Sequence, residues 1–248
     1  MILAQKHQAD IIIANLEKTS ERLLVSAGDT RPHFPEQERE WNIDVYANLS
    51  YEFIPVVNEL DASSLTVAEL ADVINKEEVW MIARGYTVNP SPAAEIERFC
   101  SILSRITCPL LLLPDTGKLI SFERIAYLTD LRYCQLRVVR FLAAFGAPFN
   151  SNVLLAHLAA KGLPDIEQNY AISLFKDSVW SAIRYRGLSF DNIKEKQTQK
   201  VMDVLVHGMQ NELLALVHNH HHFDEAAGLL KGSADGKTEA IPFLFFPC

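Results

Sequence analysis

Two rhythms of apolar residues run along this chain. One is the short, uninterrupted run: PLLLLP at 109–114, RIAYLTD at 124–130, NVLLAHL at 152–158, LLALV at 213–217 and PFLFFP at 242–247. Strands buried on both faces need apolar side chains at every position rather than every second one, so these runs predict strands of a covered, parallel sheet. The other rhythm is helical. Leu136, Val139, Phe141, Leu142 and Phe145 recur at helical spacing, as do Ile166, Tyr170, Leu174, Val179 and Ile183 after Pro164, and Val201, Val204, Leu205 and Met209. A strand with some alternation is predicted at Gly187–Ile193, the last strands at Leu213–Val217 and Phe243–Phe246, and a short helix between them near Asp224–Leu230. The order over the second half is β-α-β-α-β-α-β-α-β, the pattern of a doubly wound α/β sheet with right-handed crossovers.

The same blocks occur twice. CPLLLLP (108–114) matches IPFLFFP (241–247), EVWMIARG (78–85) matches ELLALVHN (212–219), ADIIIANL (9–16) matches SNVLLAHL (151–158), and LAQKHQ (3–8) matches LAAFGA (142–147). Blocks in one order at a nearly constant offset argue for a duplicated domain, one copy over 1–116 and the other over 121–248. The copies are unequal. A strand and a helix precede Asn152 in the second, whereas the matching block of the first begins at Asp10. By the repeat, Met1–Gln8 is the end of a first helix and Asp10–Leu16 is a second strand, so the first copy lacks its first strand.

Composition removes several function classes. Apolar residues make up 49% of the 248 and charged residues 22%, without long charge blocks, so the chain can bury a real core and is not disordered. A net charge of −8 argues against nucleic acid as a partner, because neutralising phosphates takes a surplus of Lys and Arg. The apolar runs are too short to span a bilayer, so no membrane partner is expected. MILAQKHQAD shows no secretory pattern, which makes the cytoplasm the expected location. Cys100, Cys108, Cys134 and Cys248 form neither a CxxC pair nor a disulfide framework and are expected as reduced thiols, with Cys248 open to oxidation. No GxSxG, HExxH, Walker loop or Rossmann fingerprint occurs, and spacing assembles no nucleophile–base pair, so no enzymatic activity is expected.

A five-stranded α/β repeat closing on P-[LF]-L-[LF]-[LF]-P resembles the universal stress proteins in their tandem form, and Phe122–Cys248 covers one whole such domain. The resemblance implies an adenine nucleotide alpha hydrolase-like fold and pairing of domains through their last strands. In that family the first strand ends in Asp, matched here by Asp130. The fourth strand is followed by a phosphate loop, G-x2-G-x9-G-[ST], whose end is matched by Gly232-Ser233. The two earlier glycines fall on Asn219 and His222. Glycine serves such loops because backbone N–H groups must approach phosphate closely, often at positive φ. With Asn219 and His222 carrying side chains into that space, the resemblance implies a degenerate site on a non-enzymatic stress-response binding or scaffold protein that requires no cofactor. The counterpart loop of the first copy, ARGYTVNPSP (83–92), keeps Gly85 but has Val88 at the second position and no Gly-Ser before Cys108. In the family's sheet the first strand is central, between the second and fourth. Its loss is therefore expected to leave a gap there, or to bring those two strands into direct pairing.

Two alternatives use the same strand ends. One is a true ATP- or AMP-binding pocket in the second copy, with Asp130 near the base or ribose, Gly232 and Ser233 toward the phosphates, and Asn219 and His222 between. Against it stands inherited architecture, with Asp130 capping the helix that follows and Ser233 capping its own. The other is a metal site in HNHHH: His218, His220 and His222 alternate and would face one way in an extended segment, with Asp224 and Glu225 as further oxygen ligands. A solvated polar loop explains the same residues. His157, after VLLA, would approach the same cleft, although a lone His on an apolar strand is more often a hydrogen-bonded structural residue. Arg132, Lys231 and Lys237 read as scattered solvated cations, and Trp41, Trp80 and Trp180 as packing residues. Leu110–Leu113 and Phe243–Phe246 are expected to lie side by side across an intramolecular pseudo-twofold, since an uncovered apolar edge strand invites aggregation. A homodimer is expected to cover what the shortened first copy exposes.

Overall fold

A computed structural model describes residues 7, 9–15, 22–27, 57–61, 64–86, 100–114, 122–195, 197–219, 222–223 and 241–248. In chain order its elements are β1 (Asp10–Asn15), β2 (Arg22–Ala27), β3 (Val57–Asp61), α1 (Val67–Lys76), β4 (Met81–Tyr86), β5 (Leu110–Pro114), β6 (Arg124–Thr129), α2 (Leu136–Gly146), β7 (Asn152–His157), α3 (Gln168–Leu174), β8 (Leu188–Asn192), α4 (Thr198–Asp203), β9 (Leu213–Val217) and β10 (Phe243–Phe246). α3 and α4 loosen into π-type turns over Phe175–Trp180 and Val204–Gly208. Each strand expected in the second half stands within a residue of its predicted bounds. The helix expected near Asp224–Leu230 lies outside the described residues, as do Trp41 and nearly all of Met1–Gln8. Among the described residues no helix is long and apolar enough to cross a membrane.

The described residues divide into two compact units, the one made of β1 to β5 with β10, the other of β6 to β9. In the second unit the order is β9-β6-β7-β8, and all three pairings are parallel. β9 is buried at all five positions, as a strand covered on both faces requires. α2 packs on β6 and β7 and buries Val138, Val139, Leu142, Ala143 and Phe145. Each large side chain on that face contributes about 1.5–3 kcal/mol of burial. The start of β8 can come this close to β7 only because residue 187 is glycine: a Cβ there would meet the Ser151 carbonyl oxygen at 2.2 Å.

In the first unit the order is β3-β1-β2-β4-β5-β10. β1 and β3 are parallel, and so are β4 and β5. The sequence expectation fails at the centre of this sheet. Neither a gap nor direct β1–β4 pairing is found, because β2 fills the place and pairs antiparallel with both neighbours. Its residues follow Asp10 rather than precede it. The physical reason is that two facing strand edges present rows of unpaired N–H and C=O groups, and a reversed strand satisfies them as well as a parallel one. The sheet is accordingly mixed. α1 begins at a capping box in which Thr66 and Glu69 bond to each other's backbone N–H, and it buries Leu70, Ala71 and Ile74.

The two Pro-flanked apolar runs do lie side by side. β10 pairs antiparallel with β5, with Phe243 opposite Leu112, Leu244 opposite Leu111 and Phe245 opposite Leu110. The Tyr86 hydroxyl donates to the Ile241 carbonyl at 2.9 Å beside this seam. Of the tryptophans read as packing residues, Trp180 is instead 40% exposed, its ring tilted against that of Phe175 with centroids 6.3 Å apart.

Candidate functional site

Carboxyl ends of parallel strands gather side chains where chain direction changes sides. In the second unit that place is the end of β6, with β7 on one side and β9 on the other. Thr129 pairs with His157 and Ala126 with Leu214, so Asp130, Leu158 and His218 stand at one level just past their strands.

Asp130 is fully buried. Its Oδ1 accepts from the Arg132 N–H at 3.0 Å and from Arg132 Nε at 2.9 Å, and its Oδ2 accepts from Arg132 Nη2 at 2.6 Å and from the Ala160 N–H at 2.8 Å. It therefore caps the one-turn helix Leu131–Tyr133 while holding the loop after β7. Burial by itself would push the carboxyl up. The Arg132 guanidinium and the two backbone N–H groups outweigh it and bring Asp130 down to about 2. Arg132, read from sequence as a solvated cation, is a fork-shaped partner to this carboxylate, and its Nη1 also donates to the Pro164 carbonyl at 3.1 Å.

His157 is equally buried, and its Nδ1 accepts from the Leu131 N–H at 3.0 Å. An accepting nitrogen carries no proton, so the ring is neutral with its proton on Nε2. Burial pushes its pKa down. The Asp130 charge and the Thr129 backbone push it back up, while Arg132 and His222 push it down again. This is the structural, hydrogen-bonded histidine that was the alternative reading for His157.

Asn219 and His222 hold positive φ, 56° and 79°. These are the two positions at which the resemblance calls for glycine. His222 is half-buried, and its Nε2 lies 3.1 Å from the Leu158 carbonyl oxygen. A carbonyl only accepts, so the proton is on Nε2 and the imidazole donates. The ring thus reaches from the β9 side to the β7 side across the end of β6. His218 is buried with its ring edge-on to Phe223 at 4.9 Å. His220, Gly232 and Ser233 lie outside the described residues. Among the described residues no group of three or more His, Cys, Asp or Glu side chains is placed to hold a metal ion. In the first unit, Gly85 shows no positive φ, and a Cβ there would meet nothing within 4 Å.

The structure brings together Asp130, His157 and His222, all named from sequence, while Asn219 contributes an exposed left-handed residue just past β9. It adds Arg132 and three backbone groups of residues 158–164, for which a sequence carries no signal because nearly every residue has the same N–H and C=O.

No family model matches the chain, and no curated protein does. Among solved structures the chain is similar to a universal stress protein from Archaeoglobus fulgidus, at 11% identity and a TM-score of 0.47 over 79% of this chain and 68% of that one. It is similar also to a protein from Pseudomonas aeruginosa provisionally named a universal stress protein, at 10% identity and a TM-score of 0.47 over 85% and 80%. A functionally unknown protein from the same species matches at 12% identity, a TM-score of 0.43 and 85% and 79% coverage.

Proposed function

We propose that the chain is a non-enzymatic, cytoplasmic binding protein of the universal stress protein type, with two tandem α/β units, the first degenerate, and no required cofactor. One observation carries the reading of its site: the imidazole of His222 spans the end of β6 to the Leu158 carbonyl, at a position where a phosphate loop calls for a bare glycine. The four hydrogen bonds to the Asp130 carboxylate point the same way, since they leave it no accepting direction for a base or ribose. The site is an inherited one that the protein's own side chains now fill. The antiparallel seam between β5 and β10 supports the pseudo-dimer reading, in which the last strands of the two repeats cover each other. A homodimer through the first unit completes the proposal.

The test is a thermal melt with ATP and Mg²⁺, and separately with AMP, to millimolar concentration. A ligand present at about 100 times its Kd stabilises by about 2.7 kcal/mol. The expected result is no saturable shift with either; a saturable one overturns the reading in favour of a working adenine-nucleotide site.

A further inference from the structure

One ring nitrogen past the end of β7 faces a donor and an anion at once. His157 Nδ1 accepts from the Leu131 N–H at 3.0 Å, and Asp130 Oδ1 lies 3.9 Å from it. Both side chains are buried. Among the described residues, the charged and titratable groups that face the ring are Asp130 and Arg132 after β6 and His222 after β9. On β8 its register partner is Asn192, which carries no charge. In the neutral ring Nδ1 is the only acceptor, and its bond to Leu131 fixes the first N–H of the one-turn helix Leu131–Tyr133.

A proton gained by this ring must go to Nδ1, because Nε2 already carries one. Two N–H groups then point at each other across 3.0 Å, and an attraction becomes a repulsion. The anion beside the new N–H is Asp130 Oδ1, which stays ionised because Arg132 and two backbone N–H groups hold that carboxyl down to about 2. Oδ1 already accepts from the N–H and the Nε of Arg132, so an imidazolium must displace one of them. The Arg132 side chain is 25% exposed, and water can take up what is released. We infer that His157 is a buried pH switch: on protonation it trades the Leu131 N–H for the Asp130 carboxylate, unfastens the Leu131–Tyr133 turn and loosens Arg132 from Asp130 and from the Pro164 carbonyl. Exposed Tyr133 sits on that turn, which carries the buried event to the surface. Burial favours the uncharged ring, so the switch works on the acid side of the ordinary histidine value of 6.5. It is independent of what the rim holds.

The experiment follows the full chain by two-dimensional NMR from pH 7 to pH 5. The ring signals of His157 are expected to titrate with a midpoint below 6.5. The amides of Leu131, Arg132 and Tyr133 and the Nε–H of Arg132 should move with that same midpoint, while Val153 and Leu155 inside β7 hold still. Protection of the Leu131 amide, corrected for intrinsic exchange, should fall roughly tenfold across the step, the effect of losing one hydrogen bond. His157→Asn keeps an oxygen to accept from Leu131 but cannot gain a proton, so its turn should stay fixed over the whole range. Should that variant fail to fold, the match of midpoints in the wild type decides by itself. Movement of the turn at a midpoint other than the ring's overturns the switch, and so does movement that survives in His157→Asn. Ring titration with no response from Leu131–Tyr133 overturns it as well, as does unfolding of the second unit before the ring takes its proton.

Discussion

The two units fill the same central place with strands of opposite direction. In the second, β6 lies between β7 and β9 and runs parallel to both, so Asp130 emerges at the rim where His157 and Leu158 also emerge. In the first, β2 lies between β1 and β4, whose sequence blocks match those of β7 and β9, but it runs the other way. Its last residue, Ala27, pairs with Asp10 at the start of β1, and its first, Arg22, pairs with Asn15 at the end. Backbone hydrogen bonding is completed in both cases. Strand direction nevertheless decides what stands at the rim. A reversed strand brings its beginning there, so no residue can follow it into the position that Asp130 occupies. Completing a ladder and bringing a side chain to the rim are separate requirements, and β2 meets only the first. Gly85 and Asn219 extend the contrast: the glycine stands where no left-handed backbone needs it, while the left-handed backbone carries an asparagine.

The largest effect should come from the element that makes the first unit different. Val25→Pro removes a ladder donor in the middle of a strand paired on both sides, and is expected to cost about 3 kcal/mol or more and to expose β1 and β4 to proteolysis. The second unit should keep its exchange protection. A benign Val25→Pro would mean that β2 does not hold the central place. Next comes the Asp130 carboxylate at the rim of the second unit. Asp130→Asn strips the charge from a buried, hydrogen-bonded carboxylate and is expected to cost about 2–3 kcal/mol in denaturant melts. The native value near 2 lies below the ordinary 3.8, so Asp130's contribution is complete above the ordinary value and is lost as pH falls through the native one. In Asp130→Asn that acid limb should flatten.

The smallest effect is that of His157. Its native pKa is depressed, so it stabilises the fold above the ordinary histidine value of 6.5, and the contribution is lost as pH falls from there through the native value. Melting of the second unit is expected to drop on going from pH 7 to pH 5, and His157→Asn, less stable at neutrality, should lack that step. An unchanged step would show that another histidine titrates.

Much of this molecule was legible before any coordinates. The uninterrupted runs marked β6, β7, β9 and β10 to within a residue, because strands covered on both faces have no polar positions to blur their ends. The resemblance, together with the need of two apolar edge strands for cover, pointed to the β5–β10 pairing. Asp130, Asn219 and His222 were found through the resemblance, by their positions in its motif. β2 was not found, since no repeat marked RLLVSA and nothing local tells a strand which way its neighbours run. Arg132 was misread for a related reason: a cation two residues from an aspartate looks like any solvated pair until burial of the carboxylate makes it a partner.

The sequence by itself determined the α/β class and the residue types at the strand ends, because these follow from short-range periodicity and from chemistry that each residue carries with it. Only the tertiary structure decided the direction of the central strand in the first unit and the closure of the second unit's rim. Both are settled between segments far apart in the chain, through backbone groups that are the same at nearly every position. An imidazole at 222 meets a carbonyl at 158 only after β6 has taken its place between the two strands whose loops carry them.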